Sequence, residues 1–265
     1  MPVQAWQHGN RAARLTYLRG RPFVRIRGQT DTPLGGSANL PMMSPLVILF
    51  DVDNTLLDND SIVADLRHHL AAVAGPKSVE RYFEEFEEIR SEMGYADYLG
   101  ALQRYRLEDP HDADFMRISY FLLDYPFHER LFPGAMEAVK HFEQFGTTVI
   151  LTDGDVVFQP WKIVRSGLYD AFEGRVMIQI HKEKELYCVE DRFPAERYVL
   201  VDDKLRILSE TKKIWGDKLT TIFPKQGHYA LDPAISSKYP LADISVDRIG
   251  ELADLDLASL LAARP

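Results

Sequence analysis

Four short apolar runs stand out along the chain: "LVILF" (46–50), "TTVIL" (147–151), "YVLV" (198–201) and "LTTIF" (219–223). Each is bounded by charged or turn-forming residues and is too short for a buried helix, so each predicts a strand covered on both faces. "RVMIQI" (175–180) alternates and predicts a further strand. Helical patterns separate these runs. In "PGAMEAVKHFEQFG", Pro133 precedes the start and Gly146 sits where a C-terminal cap belongs; "KLRILSETKKIWG" likewise ends at Gly216. Strands alternating with helices predict an α/β fold, a doubly wound and mostly parallel sheet of Rossmann-like type.

One interval breaks the alternation. Between Asp58 and about Arg130 no strand pattern occurs. "VERYFEEFEEIRSEM" puts Val79, Tyr82, Phe83, Phe86 and Ile89 on one helical stripe, with Glu84, Glu85, Glu87 and Glu88 mostly opposite. That stripe is core, and the glutamates are a solvated face. "YADYLGALQRYRL" and "DADFMRISYFLL" continue the helical periodicity. The expected organisation is an α/β core at 45–58 and 131–265, with an all-helical insertion at 59–130 directly after the first strand.

Charge sets the first 44 residues apart. They hold six arginines against the single acid Asp31, a surplus of +5. The whole chain carries −9, with 31 basic and 40 acidic residues, which leaves −14 for the remainder. An Arg-rich, acid-poor leader resembles a transit peptide, but Ser37 and Ser44 are its only serines. A basic N-terminal extension outside the core is expected, with a start at Met42 or Met43 or a short hairpin in "LTYLRGRPFVRIR" as variants of that reading. The acidic balance argues against a nucleic-acid partner bound through its phosphates. The lone Cys188 excludes an internal disulfide and a cysteine-built zinc site, which fits a reducing, cytoplasmic setting. No apolar run reaches the length of a membrane span, so no membrane partner is expected. The sequence does not set an oligomeric state.

Ligands of open parallel sheets bind at the carboxyl ends of the strands. The first strand is followed by Asp51-Val52-Asp53-Asn54-Thr55, the second by Thr152-Asp153-Gly154-Asp155, "RVMIQI" by Lys182 and Lys184, and "YVLV" by Asp202-Asp203-Lys204. Carboxylates so close repel, and burial makes each costly unless something positive neutralises it. Oxygen-only ligands suit Mg²⁺. A divalent cation and a lysine among the acids would resolve the crowding.

"DVDNT", then "LTDG", then a lysine, then "VDDK", each behind a strand and in this order, resemble the haloacid dehalogenase (HAD) superfamily over residues 45–225. The insertion resembles that family's helical cap. The resemblance implies Asp51 as a nucleophile forming an aspartyl-phosphate, and Asp53 as general acid and base that also lends its backbone carbonyl to the metal. It implies Thr55 as support for that loop, and Thr152 with the amides of Asp153 and Gly154 as hydrogen-bond partners of phosphoryl oxygens. A lysine would neutralise Asp51 and the phosphoryl group; Lys182 fits better than Lys184, because a short loop points it at the strand end. Asp51, Asp53, Asp202 and Asp203 would hold Mg²⁺. Dehalogenases of the family lack the second aspartate, so Asp53 favours a Mg²⁺-dependent phosphatase acting on a small phosphorylated metabolite. A sugar-phosphate mutase of the same fold and a non-catalytic binding protein are the alternatives.

Other polar residues receive plainer roles. Asp58 and Asp60 are expected at a hinge and helix cap, Asp155 as a helix cap, Lys204 on a helix surface and Cys188 as a small buried residue. His181 and His228 lack partners at metal-ligand spacing, and "QGHYALDP" is expected as a structured loop. On the insertion, Arg67, Tyr98, Tyr105 and Arg106 are candidates to face a substrate.

Overall fold

The computed structural model describes residues 44–108 and 114–257, all of them in one compact unit. The basic extension, its Met42–Met43 pair and the hairpin expected within it lie outside the described residues.

Six strands form one sheet: β1 Ser44–Phe50, β2 Thr147–Asp153, β3 Val176–Gln179, β4 Ala195–Val201, β5 Leu219–Pro224 and β6 Ile244–Val246. Their order is β3-β2-β1-β4-β5-β6, and every neighbouring pair is parallel. This is the doubly wound α/β sheet that the apolar runs predict. The edge strand β6 was not anticipated, because "ISV" is three residues long and carries no apolar run. The chain leaves β1 toward β2 and β3, then returns to β4 on its other side. That reversal opens a crevice at the carboxyl ends of β1 and β4.

The continuous apolar runs still obey a period of two. Leu46, Ile48 and Phe50 enter one core cluster, while Val47 and Leu49 enter the other. On the first face the Phe50 ring meets Phe142 and Phe172 edge-on, each at 5.7 Å. On the second, Tyr198 stacks on Trp215 at 4.3 Å.

Helices α1 Asn59–Ala74, α2 Pro76–Met93, α3 Tyr98–Glu108 and α4 Phe115–Asp124 follow β1, with no strand among the described residues of the interval. Asp58 caps α1 by accepting from the Ser61 amide at 2.9 Å. Tyr82, Phe83, Phe86 and Ile89 form the buried face of α2, as the stripe predicts. They join the core cluster on one side of the sheet. Gly94, in the left-handed region at φ 83, ends α2. A Cβ there would collide with the His181 imidazole, so the glycine lets the insertion close on the β3 loop.

The remaining helices are α5 Ala135–Phe142 before β2, α6 Phe158–Arg165 and α7 Leu168–Ala171 between β2 and β3, α8 Leu186–Arg192 before β4, α9 Leu205–Trp215 before β5, and α10 Gly227–Leu231 with α11 Pro233–Ser236 before β6. Gly216 closes α9, with its amide bonded to Lys212 O. Gly146 is not the cap of α5, which ends four residues earlier. It is needed because a Cβ would strike the Leu46 carbonyl of β1. Lys182 and Lys184 both lie on a short 3₁₀ turn, and α8 begins only at Leu186.

Candidate active site

The chain leaves β1 at Asp51, whose amide still bonds to Val201 O of β4 at 3.0 Å. It then curls: Asn54 is left-handed at φ 61, and the amides of Leu56 and Leu57 both return to Val52 O at 2.9 Å. Two acids two residues apart therefore part company. Asp51 stays buried at 2% exposure, while Asp53 reaches a cavity of about 980 Å³ between the insertion and the strand ends. Gln226 braces the curl, donating to Thr55 O at 2.7 Å and accepting from the Ile249 amide at 2.9 Å. The "QGHYALDP" stretch, expected as a loop, is instead mostly helical, its residues Gly227–Leu231 forming α10, and its Gln226 supports the site.

Lys182 is buried, with Nζ 2.5 Å from Asp51 Oδ1, 2.6 Å from Asp202 Oδ2 and 3.2 Å from Leu151 O. The left-handed His181, at φ 62, turns the chain so that this side chain enters the strand ends, whereas Lys184 faces solvent. Thr55 Oγ1 donates to Asp51 Oδ2 at 3.3 Å and accepts the Asp203 amide at 3.0 Å, tying the first loop to the fourth. Asp202 Oδ1 accepts the Lys204 amide at 2.8 Å. Both carboxylate oxygens of Asp203 are buried without a hydrogen-bond partner among the described residues.

The charges are strongly interdependent. Burial alone would raise the Asp51 carboxyl, but Lys182 and Lys204 outweigh it and hold the pKa below the ordinary value. Burial raises Asp202 despite Lys182, and raises Asp203 well above the ordinary value, with Asp202 and Asp51 adding repulsion. Lys182 and Lys204 are both pushed up: burial opposes this, but the surrounding aspartates outweigh it. One oxygen from each of Asp51, Asp202 and Asp203 falls within 4.8 Å of the others. An all-oxygen, buried triad with an unpartnered carboxylate fits a hard divalent cation such as Mg²⁺.

Two of the expected phosphoryl contacts are differently engaged. The Gly154 amide donates to Gln179 O of β3 at 3.2 Å, so it is not free for a phosphoryl oxygen. Parallel pairing of β2 with β3 continues one residue past the strand and consumes it. Asp153 accepts the Lys182 amide at 2.7 Å, and its pKa is raised by burial, partly offset by Lys182. Thr152 Oγ1 accepts from Gln159 Nε2 at 3.1 Å, and Asp155 caps α6 through the amides of Val157 and Phe158 at 2.8 and 2.6 Å.

Several residues near the site were missed or misplaced by sequence. Lys162 of α6 is buried, and its Nζ forms an ion pair with Asp53 Oδ1 and lies 3.4 Å from Asn59 Oδ1. Gln159, one turn earlier, also reaches Asp53 Oδ2 at 3.4 Å. The available signal was a glutamine and a lysine three apart on the face that also buries Phe158 and Ile163. Lys204 is not on a helix surface: it lines the cavity, 5.0 Å from the Tyr229 ring, beside the acid cluster. Asp60 does not cap α1, which Asp58 does; it accepts the His228 amide at 2.7 Å and pairs with Nδ1 at 2.6 Å, joining α1 to α10. Cys188 is half-buried against the second core cluster. Arg67 and Tyr98 line the cavity; Tyr105 is core, under Arg81, and Arg106 is exposed near Phe115.

The parallel α/β sheet thus brings a buried Asp51–Lys182–Asp202 cluster to its switch point. The family model for haloacid dehalogenase-like hydrolases matches residues 46–205. A haloacid dehalogenase-like hydrolase of Burkholderia xenovorans is 58% identical, covering 80% of this chain and 99% of its own, with a TM-score of 0.77. The chain belongs to the haloacid dehalogenase-like hydrolases. More distant structures share the fold alone. The magnesium-bound HAD-hydrolase YfnB of Bacillus subtilis is 17% identical over 78% of this chain and 96% of its own, with a TM-score of 0.54. The L-2-haloacid dehalogenase of Xanthobacter autotrophicus is 18% identical over 79% and 97%, with a TM-score of 0.52. No functionally curated protein matches. Among the described residues no helix is long and apolar enough to cross a membrane.

Proposed function

We propose that this hydrolase is a Mg²⁺-dependent phosphatase that cleaves a small phosphorylated metabolite through an aspartyl-phosphate on Asp51. The observation that carries this reading is the division of labour in the β1 loop. Asp51 is buried against Lys182 as part of the acid triad, while Asp53 presents a second carboxylate to the cavity. Halide needs no proton to leave, whereas an alkoxide does, so a carboxylate at Asp53 suits ester cleavage.

A carboxylate oxygen of Asp51 forms a bond to phosphorus as the bond to the leaving oxygen breaks, and Asp53 in its protonated form gives that oxygen a proton. Water then attacks phosphorus, Asp53 takes its proton, and the bond to Asp51 breaks to release phosphate. Lys182 holds the Asp51 carboxylate ionised and in place, and Thr55 fixes its second oxygen. Lys204 adds positive charge where the phosphoryl group is negative. Asp51, Asp202 and Asp203 would hold Mg²⁺, which when bound offsets the phosphoryl charge as a Lewis acid.

Residues 59–130 serve as a cap in this reading. Their two connections to the core pair with each other, Asp58 N donating to Arg130 O at 2.7 Å beside the Leu57–Leu131 bridge. Asp51 is nearly closed off, so the substrate enters as the cap swings on these connections and water is excluded when it returns. The enclosure suits a small molecule and excludes nucleic acid, and a cytoplasmic location fits the cysteine usage.

Side-by-side assays decide the matter: phosphate release from a panel of phosphomonoesters with Mg²⁺, and halide release from 2-haloacids. Phosphate release is expected. Halide release with no phosphate release would overturn the proposal.

A further inference from the structure

Among the described residues, Arg67 is a cavity-facing cation with no acid paired to it. Four arginine or lysine side chains line the cavity: Arg67, Arg90, Lys204 and Arg206. Arg90 is paired with Glu87 at 3.0 Å and donates to Tyr229 OH at 3.1 Å, and Arg206 is paired with Glu183 at 2.7 Å. Lys204 stands beside the aspartates at the strand ends. Arg67 has no carboxylate partner among the described residues, and its guanidinium lies 3.6 Å above the Phe83 ring centre. The stack fixes the plane of the group while leaving its N–H edges available.

Its position sets a length. Asn59, Asp60, Val63, Ala64 and Arg67 line the cavity from one stripe of α1. Asn59 begins the helix next to the Lys162–Asp53 pair. Arg67 is eight residues on, roughly 12 Å along the axis at the rise of an α-helix. A ligand with its phosphoryl group at Asp51 and its leaving oxygen at Asp53 would meet Arg67 only with its far end.

We propose that Arg67 is a second anion-binding subsite, and that the substrate is an elongated phosphomonoester carrying a further carboxylate or phosphate on the order of 10 Å from the reacting phosphorus. The class assignment rests on the phosphatase reading; the subsite itself does not. Guanidinium groups recognise both anions through paired N–H donors, so the shared chemistry is an oxyanion at fixed distance. A two- or three-carbon phospho-acid is too short to bridge the two ends.

The test uses three six-carbon probes: 6-phosphogluconate, sorbitol 1,6-bisphosphate and sorbitol 6-phosphate, which differ at the far end only. Affinities are measured by calorimetry with Mg²⁺ on Asp51→Asn protein, which stops turnover, with and without Arg67→Met. The methionine keeps an apolar cover over Phe83, and Arg67→Lys serves as a conservative second variant.

At least one anionic probe should bind roughly 10–100-fold more tightly than sorbitol 6-phosphate, the scale of a charge-assisted contact. Arg67→Met should abolish that preference, Arg67→Lys should keep part of it, and the probe that shows it identifies the anion. Equal affinity for all three, no binding of any, or a preference that survives Arg67→Met would overturn the proposal. Turnover of p-nitrophenyl phosphate by the otherwise unaltered enzyme tests the phosphatase reading separately. Its absence, alongside an Arg67-dependent preference, would sink that reading and leave the subsite standing.

Discussion

Lys162, buried on α6, forms an ion pair with Asp53, the carboxylate that the β1 loop delivers to the cavity. Gln159, three residues before it, bridges the other oxygen of Asp53 to Thr152. Asp53 is therefore held from below by one helix, and its orientation does not depend on its own loop alone. Lys162→Met should lower kcat by roughly 10–10²-fold, within the range of acid–base catalysis, with little change in KM. Combined with Asp53→Asn, it should cost little more, because the two act as a unit. Steady-state kinetics of the four proteins measure this; full additivity would show that Lys162 acts through stability alone.

Asp203 places an unpartnered carboxylate in the interior next to two others. Without metal, Asp203→Asn should therefore melt at a higher temperature than the parent protein, because it removes a buried repulsion. Added Mg²⁺ should raise the melting temperature of the parent, since it binds the folded state, and raise that of the variant much less. Chelator should abolish turnover and Mg²⁺ restore it. Thermal scans with and without Mg²⁺ check the crossover, and equal metal shifts in both proteins would remove Asp203 from the ligand set.

Asp51→Asn should leave no phosphorylated enzyme, whereas Asp53→Asn should still accept a phosphoryl group. The second variant should lose ~10²–10⁴-fold in turnover, less when the leaving group is as good as p-nitrophenolate. Acid quenching and mapping of the label decide it. Label recovered on Asp53, or turnover retained by Asp51→Asn, would exchange or dissolve the assigned roles.

Asp243 links β5 to β6: it accepts from the Thr221 amide at 2.8 Å, Thr221 Oγ1 at 3.0 Å and Lys212 Nζ at 3.1 Å. Partial burial works against its ionisation, but these partners outweigh it, and the pKa lies below the ordinary aspartate value of 3.8. A depressed carboxyl stabilises the fold above that value, and the contribution is lost as pH falls through the folded-state pKa. Asp243→Asn should therefore be less stable than the parent near neutral pH and should converge with it below about pH 4. Denaturant titrations from pH 7 to 3 measure the gap; a constant difference would mean that the loss is one of shape and not of charge.

The strands that carry the site, their parallel arrangement and the helical insertion were legible in the sequence. So was the gathering of Asp51, Lys182, Asp202 and Asp203, because each follows its own apolar run and parallel strands bring their carboxyl ends to one edge. Local pattern suffices where the signal is periodic and the position is a strand end. The tertiary structure alone decided the rest. Lys162 and Asp53 are 109 residues apart, and His228 and Asp60 are 168 apart, so neither pair has a local signature. Lys204 reads as the polar start of a surface helix until three carboxylates are placed around it. The Gly154 amide reads as free until β3 pairs one residue further along β2. Composition and periodicity report which face of an element is buried. Which charge meets which across that face depends on strand order, register and the turn that aims each side chain, and those are properties of the assembled sheet.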